Sequence, residues 1–127
     1  PGMSKNAITV GACQSAGTDL TKTMLGRDYL ARFSSRGPSP DGRTLPDIVA
    51  PGARILSAGA NPRHGACDDS DGTVYMQGTS MATPVVSGTA ALIRQYFVDG
   101  YYPTGEPVKG NEMNPSGTLI KAVLMNG

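Results

Sequence analysis

A serine whose neighbours suit nucleophilic chemistry lies in the segment GTSMATPVVSG, residues 78–88. Ser80 follows Gly78 and Thr79 and precedes apolar residues that recur at helical spacing. The first amides of a helix have no intrahelical acceptor, and the helix dipole favours negative charge there. Ser80 could therefore attack a carbonyl carbon while its own N–H binds the oxyanion that forms. The same small residues would also suit close packing of a helix, so the pattern alone leaves both interpretations open.

A nucleophilic serine needs a general base, and His64 is the only histidine in the chain. No histidine follows Ser80, which disfavours the order Ser, Asp, His of α/β-hydrolase esterases. The triad order Asp, His, Ser could be formed by Asp47, His64 and Ser80. The order His, Asp, Ser could be formed by His64, Asp68 and Ser80. Because His64 lies in the polar loop NPRHGACDDSDG, where nothing in the sequence fixes its ring, an exposed loop histidine is the favoured interpretation.

Other carboxylates and the two cysteines allow further interpretations. Asp47, in the tight segment PDIVAPG, is predicted to accept backbone N–H groups rather than to catalyse a reaction. The loop DDSDG (68–72) carries several carboxylates that could bind calcium, although a solvated acidic loop is favoured. Cys13 and Cys67 could form a disulfide or remain free thiols. Their spacing and the lone histidine disfavour a zinc site, so no metal ligand is assigned.

Composition limits the classes of protein to which the chain can belong. A length of 127 residues suits at most one domain, and 39% apolar with 17% charged residues indicates an ordered globular protein. The net charge of +1 gives no reason to expect binding to nucleic acid or to an anionic membrane. No apolar run approaches the roughly 20 residues of a bilayer span. The start at Pro1 and the end at VLMNG indicate a piece of a larger protein.

Short strands and two helices are predicted to position the serine. β-prone runs occupy 5–13, 53–59 and 73–77, and a short apolar core follows Pro46. Helical spacing from 80 to 98, with few charges before Arg94, predicts a buried helix with Pro84 near its start. Asn114 as N-cap and Pro115 as first residue predict a second helix. Strands that alternate with helices indicate an α/β fold.

Four ordered blocks resemble one protein family. GTSMATPVVSG resembles the nucleophile motif of the subtilisin-like serine proteases (subtilases, peptidase family S8), and NAITVGA, FSSRGP and PDIVAPG resemble further blocks of that family. The run GRTLPDIVAPGARILSA followed by GTSMATP most resembles its alkaline, high-molecular-weight bacterial branch. The resemblance covers nearly the whole chain. Val85 departs from it, since many subtilases have histidine there.

The resemblance implies a three-layer α/β fold with a mostly parallel central sheet and a buried helix after the nucleophile. It implies that Ser80 is the nucleophile. Gly78 and Thr79 are expected to belong to the substrate-binding site, because the turn must bring backbone close to a substrate carbonyl. The family's Asp and His blocks, and the Asn block that completes the oxyanion hole, lie upstream of NAITVGA and do not occur in residues 1–127. His64 does not correspond to the family's histidine. Residues 1–127 are therefore expected to be the C-terminal portion of a subtilase catalytic domain.

The function implied is that of a secreted serine endopeptidase acting through an acyl-enzyme on Ser80. The fragment is expected to be inactive alone and to depend for solubility on the missing N-terminal half, its partner besides a peptide or protein substrate. Neither nucleic acid nor a membrane is an expected partner. The chemistry requires no cofactor, and structural calcium is possible. The alternative is a non-catalytic pseudoprotease, or an assembly fragment, that binds peptide without cleaving it.

Overall fold

The computed structural model describes residues 2–15, 26–59 and 72–127. Within these ranges the elements are β1 (Val10–Cys13), β2 (Ile48–Pro51), β3 (Ile55–Ala58), β4 (Thr73–Met76), α1 (Thr79–Val98) and α2 (Gly117–Asn126). Each of the three β-prone runs contains a strand. In the described residues all four strands precede both helices, so the structure supports a mixture of strands and helices there but does not show the predicted alternation. No helix in this part of the chain is long and apolar enough to cross a membrane.

Two strand pairs have different roles around the serine. β1 and β2 are parallel, with Val10 beside Ile48 and Cys13 beside Pro51. β3 and β4 are antiparallel, with Ile55 opposite Met76. The parallel pair is the surface on which α1 packs, whereas the antiparallel pair leads the chain into the turn before α1. The described residues therefore contain one parallel and one antiparallel pair, and the mostly parallel central sheet stays a prediction.

Helix α1 lies on the parallel pair through small side chains. Ala82 is fully buried and Val86 nearly so, and both pack in one cluster with Ala12 and Ala50. Alanine methyl groups on both surfaces let the helix and the strands approach closely. The core in the described residues is consequently rich in alanine, although Leu124 also belongs to this cluster, and no large side chain among these residues is fully buried.

The prediction that α1 is buried is wrong for much of its surface. Only Ala82, Val86 and Phe97 of this helix are buried, whereas Val85 is 49% exposed and Leu92 is 67% exposed. The low charge of the helix indicated burial on all sides. Two strands and α2 cover one side only, so the remaining apolar side chains face outward in the structure described.

Helix α2 begins two residues later than predicted. Its N-cap is Ser116, whose Oγ accepts the N–H of Leu119 at 3.2 Å, so the prediction of Asn114 is wrong. The Asn114 side chain instead accepts a hydrogen bond from Arg94 of α1 at 3.2 Å, and Pro115 is buried just before the helix. The predicted apolar face is confirmed, since Leu124 is buried and the other members are half-buried: Leu119, Ile120 and Val123.

An ion pair joins α2 to the parallel strands. Asp47 Oδ2, just before β2, accepts the N–H of Thr9 at 2.8 Å and lies 2.8 Å from Lys121 Nζ. Lys121 Nζ also donates to the carbonyl of Ala7 at 2.9 Å. The prediction that Asp47 is a structural carboxylate that accepts a backbone N–H is confirmed.

Candidate active site

The turn before Ser80 has a conformation that requires glycine. Gly78 has φ 153° and ψ 163°, a region essentially restricted to glycine, and α1 begins at the next residue. This conformation allows the chain to pass from the extended strand β4, which ends at Met76, to the helix α1, with only two residues between them. Ser80 is then the second residue of α1, and its side chain is exposed. The position of Pro84 predicted Ser80 in or just before the first turn, and the structure has it within that turn.

Two amides at this helix end remain available to a ligand. The N–H of Gly78 donates to the carbonyl of Gly52 at 2.8 Å, and that of Met81 donates to the carbonyl of Gly78 at 3.0 Å. In the part of the chain described, the N–H groups of Thr79 and Ser80 have no protein acceptor. The N-cap offers no side-chain acceptor and the first turn has no acidic residue. Neither an N-cap side chain nor an acidic residue of the first turn therefore offsets the positive end of the helix dipole beside the Ser80 hydroxyl.

A cavity of about 370 Å³ extends to the residue before the serine. Thr79 is half-buried and lines it, together with Val10 and Gly11 of β1 and the loop of residues 35–40. The carbonyl of Thr79 accepts the hydroxyl of Thr83 at 2.8 Å, which holds the first turn of α1 to the second. A concave surface of side-chain size thus adjoins Thr79, which the sequence predicted to contact substrate.

Gly52 is a residue of this region to which sequence reasoning assigned no role. It ends the segment PDIVAPG, directly after β2, and its N–H donates to the carbonyl of Cys13 at 3.0 Å while its carbonyl accepts from Gly78. Glycine immediately after a strand was visible in the sequence. Nothing local to the motif could indicate that Gly78, much later in the chain, would pack against it.

The described residues do not bring a base to Ser80. His64 and Asp68, which the sequence allowed as triad members, lie outside the described ranges. Cys67 and the carboxylates of the loop 68–72 also lie outside them. Asp47 binds Thr9 and Lys121 instead. Within residues 2–15, 26–59 and 72–127, no group of three or more His, Cys, Asp or Glu side chains could hold a metal ion.

Cys13 offers no alternative nucleophile. It is buried at the end of β1, and burial raises the pKa of its thiol, an effect that the charge of Asp28 reinforces and a backbone hydrogen bond opposes. A neutral thiol is a poor nucleophile. The chemistry that this geometry supports is attack by the exposed Ser80 hydroxyl, with main-chain N–H groups beside it to bind a negatively charged oxygen.

Comparison with known proteins gives the relatives of the chain. It is 45% identical to the serine protease/ABC transporter B family protein tagB of Dictyostelium discoideum, in a match covering 76% of the chain and 6% of that protein. It is 44% identical to the serine protease AprX of Bacillus subtilis (78% of the chain, 23% of AprX). It is 36% identical to pyrolysin of Pyrococcus furiosus, where the match covers the whole chain and 9% of pyrolysin.

The chain spans less than a quarter of the length of each of these three relatives. The subtilase family, peptidase S8, matches residues 1–126, which is nearly all of the sequence. The four blocks that carried the resemblance all lie within this match. The chain therefore belongs to the subtilase family.

Proposed function

We propose that the complete protein is a serine endopeptidase that cleaves peptide bonds through an acyl-enzyme on Ser80. The observation that carries the proposal is the exposed Ser80 side chain beside the N–H groups of Thr79 and Ser80, for which the described ranges contain no acceptor. Membership of the subtilase family and the relatives named as serine proteases support it.

The proposed reaction follows from the position of the hydroxyl. Ser80 Oγ attacks the carbonyl carbon of the scissile bond, and a histidine from upstream sequence takes its proton and passes it to the leaving amine. An upstream aspartate orients that histidine. The N–H of Ser80 and an upstream asparagine bind the oxyanion. Water then attacks the ester, again with the histidine as base, and frees Ser80. Gly78 and Thr79 contact the substrate backbone beside the bond.

The role of residues 1–127 in the complete protein is also a proposal. We infer that they form the C-terminal portion of the catalytic domain, and that the upstream half completes a three-layer fold around the β1–β2 pair. Helix α1 on a parallel pair and its exposed apolar side chains, such as Leu92, support this. Alone, the fragment would be inactive, because it lacks the base and half of the oxyanion hole.

Family membership supports a proposal about where the enzyme acts and with what partners. We propose a secreted protease whose partners are a peptide or protein substrate and its own upstream half, with no cofactor needed for the chemistry and with calcium as a possible structural ion. The run GRTLPDIVAPGARILSA supports assignment to the alkaline, high-molecular-weight bacterial branch.

Covalent labelling tests the proposal. The complete protein is treated with a fluorophosphonate probe, and the labelled peptide is identified by mass spectrometry. We expect phosphonylation of Ser80 and loss of peptidase activity. Ser80→Ala should abolish both. Ser87→Ala, which changes an exposed serine of the same helix, should preserve both and serves as the matched control.

Absence of labelling at Ser80 in the folded, complete protein would refute the proposal. If that protein still bound peptide without cleaving it, the non-catalytic pseudoprotease would be the function instead. Labelling of the isolated 127-residue chain at the rate of the complete protein would contradict the proposed dependence on upstream residues.

A further inference from the structure

The segment that ends β2 contacts the turn before the serine at main-chain distance. Gly52 accepts the N–H of Gly78 at 2.8 Å through its carbonyl, and its own N–H bonds Cys13 of β1 at 3.0 Å. One residue thus ties the parallel pair to the turn. Gly78, whose N–H makes this bond, directly precedes Thr79, the first residue of α1. The position of the Gly52 backbone therefore sets where α1 begins.

The space around Gly52 excludes even a methyl group. A Cβ atom built on Gly52 would lie 2.7 Å from the carbonyl oxygen of Gly78, 2.7 Å from Cβ of Ala12 and 3.3 Å from Cβ of Ala82. The first neighbour is backbone, and the two others are methyl groups fixed to a strand and a helix, so none can rotate away. Gly52 does not have a positive φ, so its φ angle does not require glycine and the close contacts are what disfavour a side chain there.

We propose that Gly52 is a positioning residue for Ser80: its missing side chain lets the Gly78 turn seat on the end of β2 and so sets the distance of the hydroxyl from the sheet. This inference rests on the proposed function, since it assigns Gly52 a role in that reaction. Gly52 contacts no substrate in the proposal and acts through the turn.

The expected displacement can be read from the contacts. Restoring an ordinary separation of 3.4 Å between the new methyl group and the Gly78 carbonyl requires about 0.7 Å of movement, shared by the two segments. Because α1 is held on its buried face by Ala82 and Val86, the turn cannot move without changing the direction of the first helical turn. A displacement on the order of 1 Å at a catalytic group can cost about 100-fold in rate.

The experiment compares Gly52→Ala with Gly100→Ala in the complete protein. Gly100 follows α1 at its far end, about 30 Å from Ser80 at ~1.5 Å per residue. It has φ 74°, and a Cβ there would lie 2.5 Å from the carbonyl oxygen of Val108. The control therefore disturbs packing at least as severely, but remote from the serine. Active sites are counted by a burst titration, and kcat and KM are measured at a temperature where each variant is folded.

We expect Gly52→Ala to lower kcat per titrated site by ten- to a hundred-fold, with KM changed about two-fold or less, and to slow fluorophosphonate labelling equally. Gly100→Ala should lower the melting temperature and leave kcat within about two-fold of the unmodified protein. Equal kcat in Gly52→Ala and the unmodified protein, or an equal loss in both variants, would overturn the inference.

A double variant covers the case in which Gly52→Ala does not fold. Gly52→Ala combined with Ala12→Gly removes one of the two 2.7 Å contacts and leaves the one with the Gly78 carbonyl. This double variant should fold and still have a low kcat. Full recovery of kcat would show that Gly52 does not act through its contact with the Gly78 turn, and would overturn the inference. Failure of the unmodified protein to label at Ser80 would instead refute the proposed function, so the two failures are distinguishable.

Discussion

Replacing Lys121 by methionine should destabilise the protein by about 2–3 kcal/mol at neutral pH. The ammonium lies 2.8 Å from Asp47 Oδ2 and 2.9 Å from the carbonyl of Ala7, and the two charged side chains are only 19% and 11% exposed. Pairs on an open surface contribute about 0–1 kcal/mol, and breaking a fully buried pair costs about 3–5 kcal/mol. Partial burial and two hydrogen bonds place this pair between those limits.

The loss should depend on pH, because the pair changes the titration of Asp47. Burial, the largest influence, raises the pKa of this carboxyl. The hydrogen bonds from Lys121 and the Thr9 N–H, with the charges of Lys121 and Arg43, outweigh it and hold the pKa below the ordinary 3.8. A carboxyl whose pKa is lower in the folded state contributes stability above its unfolded pKa, and this stability is lost as the pH falls through the folded pKa.

The assay is urea or thermal unfolding of the complete protein in a Ser80→Ala background, which would prevent autolysis by the proposed peptidase. At about 2–4 °C per kcal/mol for a domain of 150–250 residues, Lys121→Met should lower the melting temperature by roughly 4–12 °C at pH 7. Below the pKa of Asp47 the difference should shrink. Lys121→Arg keeps the charge and should lose less. Equal stability of Lys121→Met and the parent at pH 7, or an undiminished difference after Asp47 is protonated, would refute this account of the pair.

Further predictions concern the helix ends and the fragment. Ser116→Ala should cost about 1 kcal/mol in urea unfolding, because the N–H of Leu119 loses its cap, and an unchanged free energy of unfolding would contradict this. Gly78→Ala should add strain of about 1–3 kcal/mol at φ 153° and lower kcat, and a kinetically normal variant would show that the turn tolerates a side chain. The isolated 127-residue chain, with Leu92 67% exposed and Leu56 49% exposed, should unfold without a sharp transition. A cooperative melt of a monomer would contradict that expectation.

Sequence reasoning succeeded where structure follows from local pattern. Alternation and turn residues predicted three of the four strands in the described residues, whereas β2 was predicted only as a short apolar core. The helical period predicted α1 to within a residue of its observed start at Thr79. Ser80 could be placed in the first turn of α1 because a glycine, a small-residue run and Pro84 all point to one boundary. These signals depend on residues that are close together in the sequence, so they can be recognised without the three-dimensional structure.

Reasoning from the sequence failed where a residue's role depends on contacts with segments far away in the sequence. Asn114 has the chemistry of an N-cap, but Arg94 of another helix takes its side chain and Ser116 caps α2. The sequence indicated that Asp47 would be structural and could not identify Lys121 as its partner. Gly52 was overlooked for the same reason, since its neighbours Gly78 and Ala12 come from other elements.

The meeting of Ala12, Gly52 and Gly78 has a consequence for when activity can arise during folding. The three residues belong to β1, the end of β2 and the turn before α1, so the serine is seated only after contacts between segments far apart in the chain have formed. Contacts of such long sequence separation carry a loop-closure cost and make folding slow. A newly synthesised chain therefore contains Ser80 before the contacts that position its hydroxyl have formed. If the complete protein is the proposed endopeptidase, its activity should appear late in folding, which would spare newly made copies from cleaving one another.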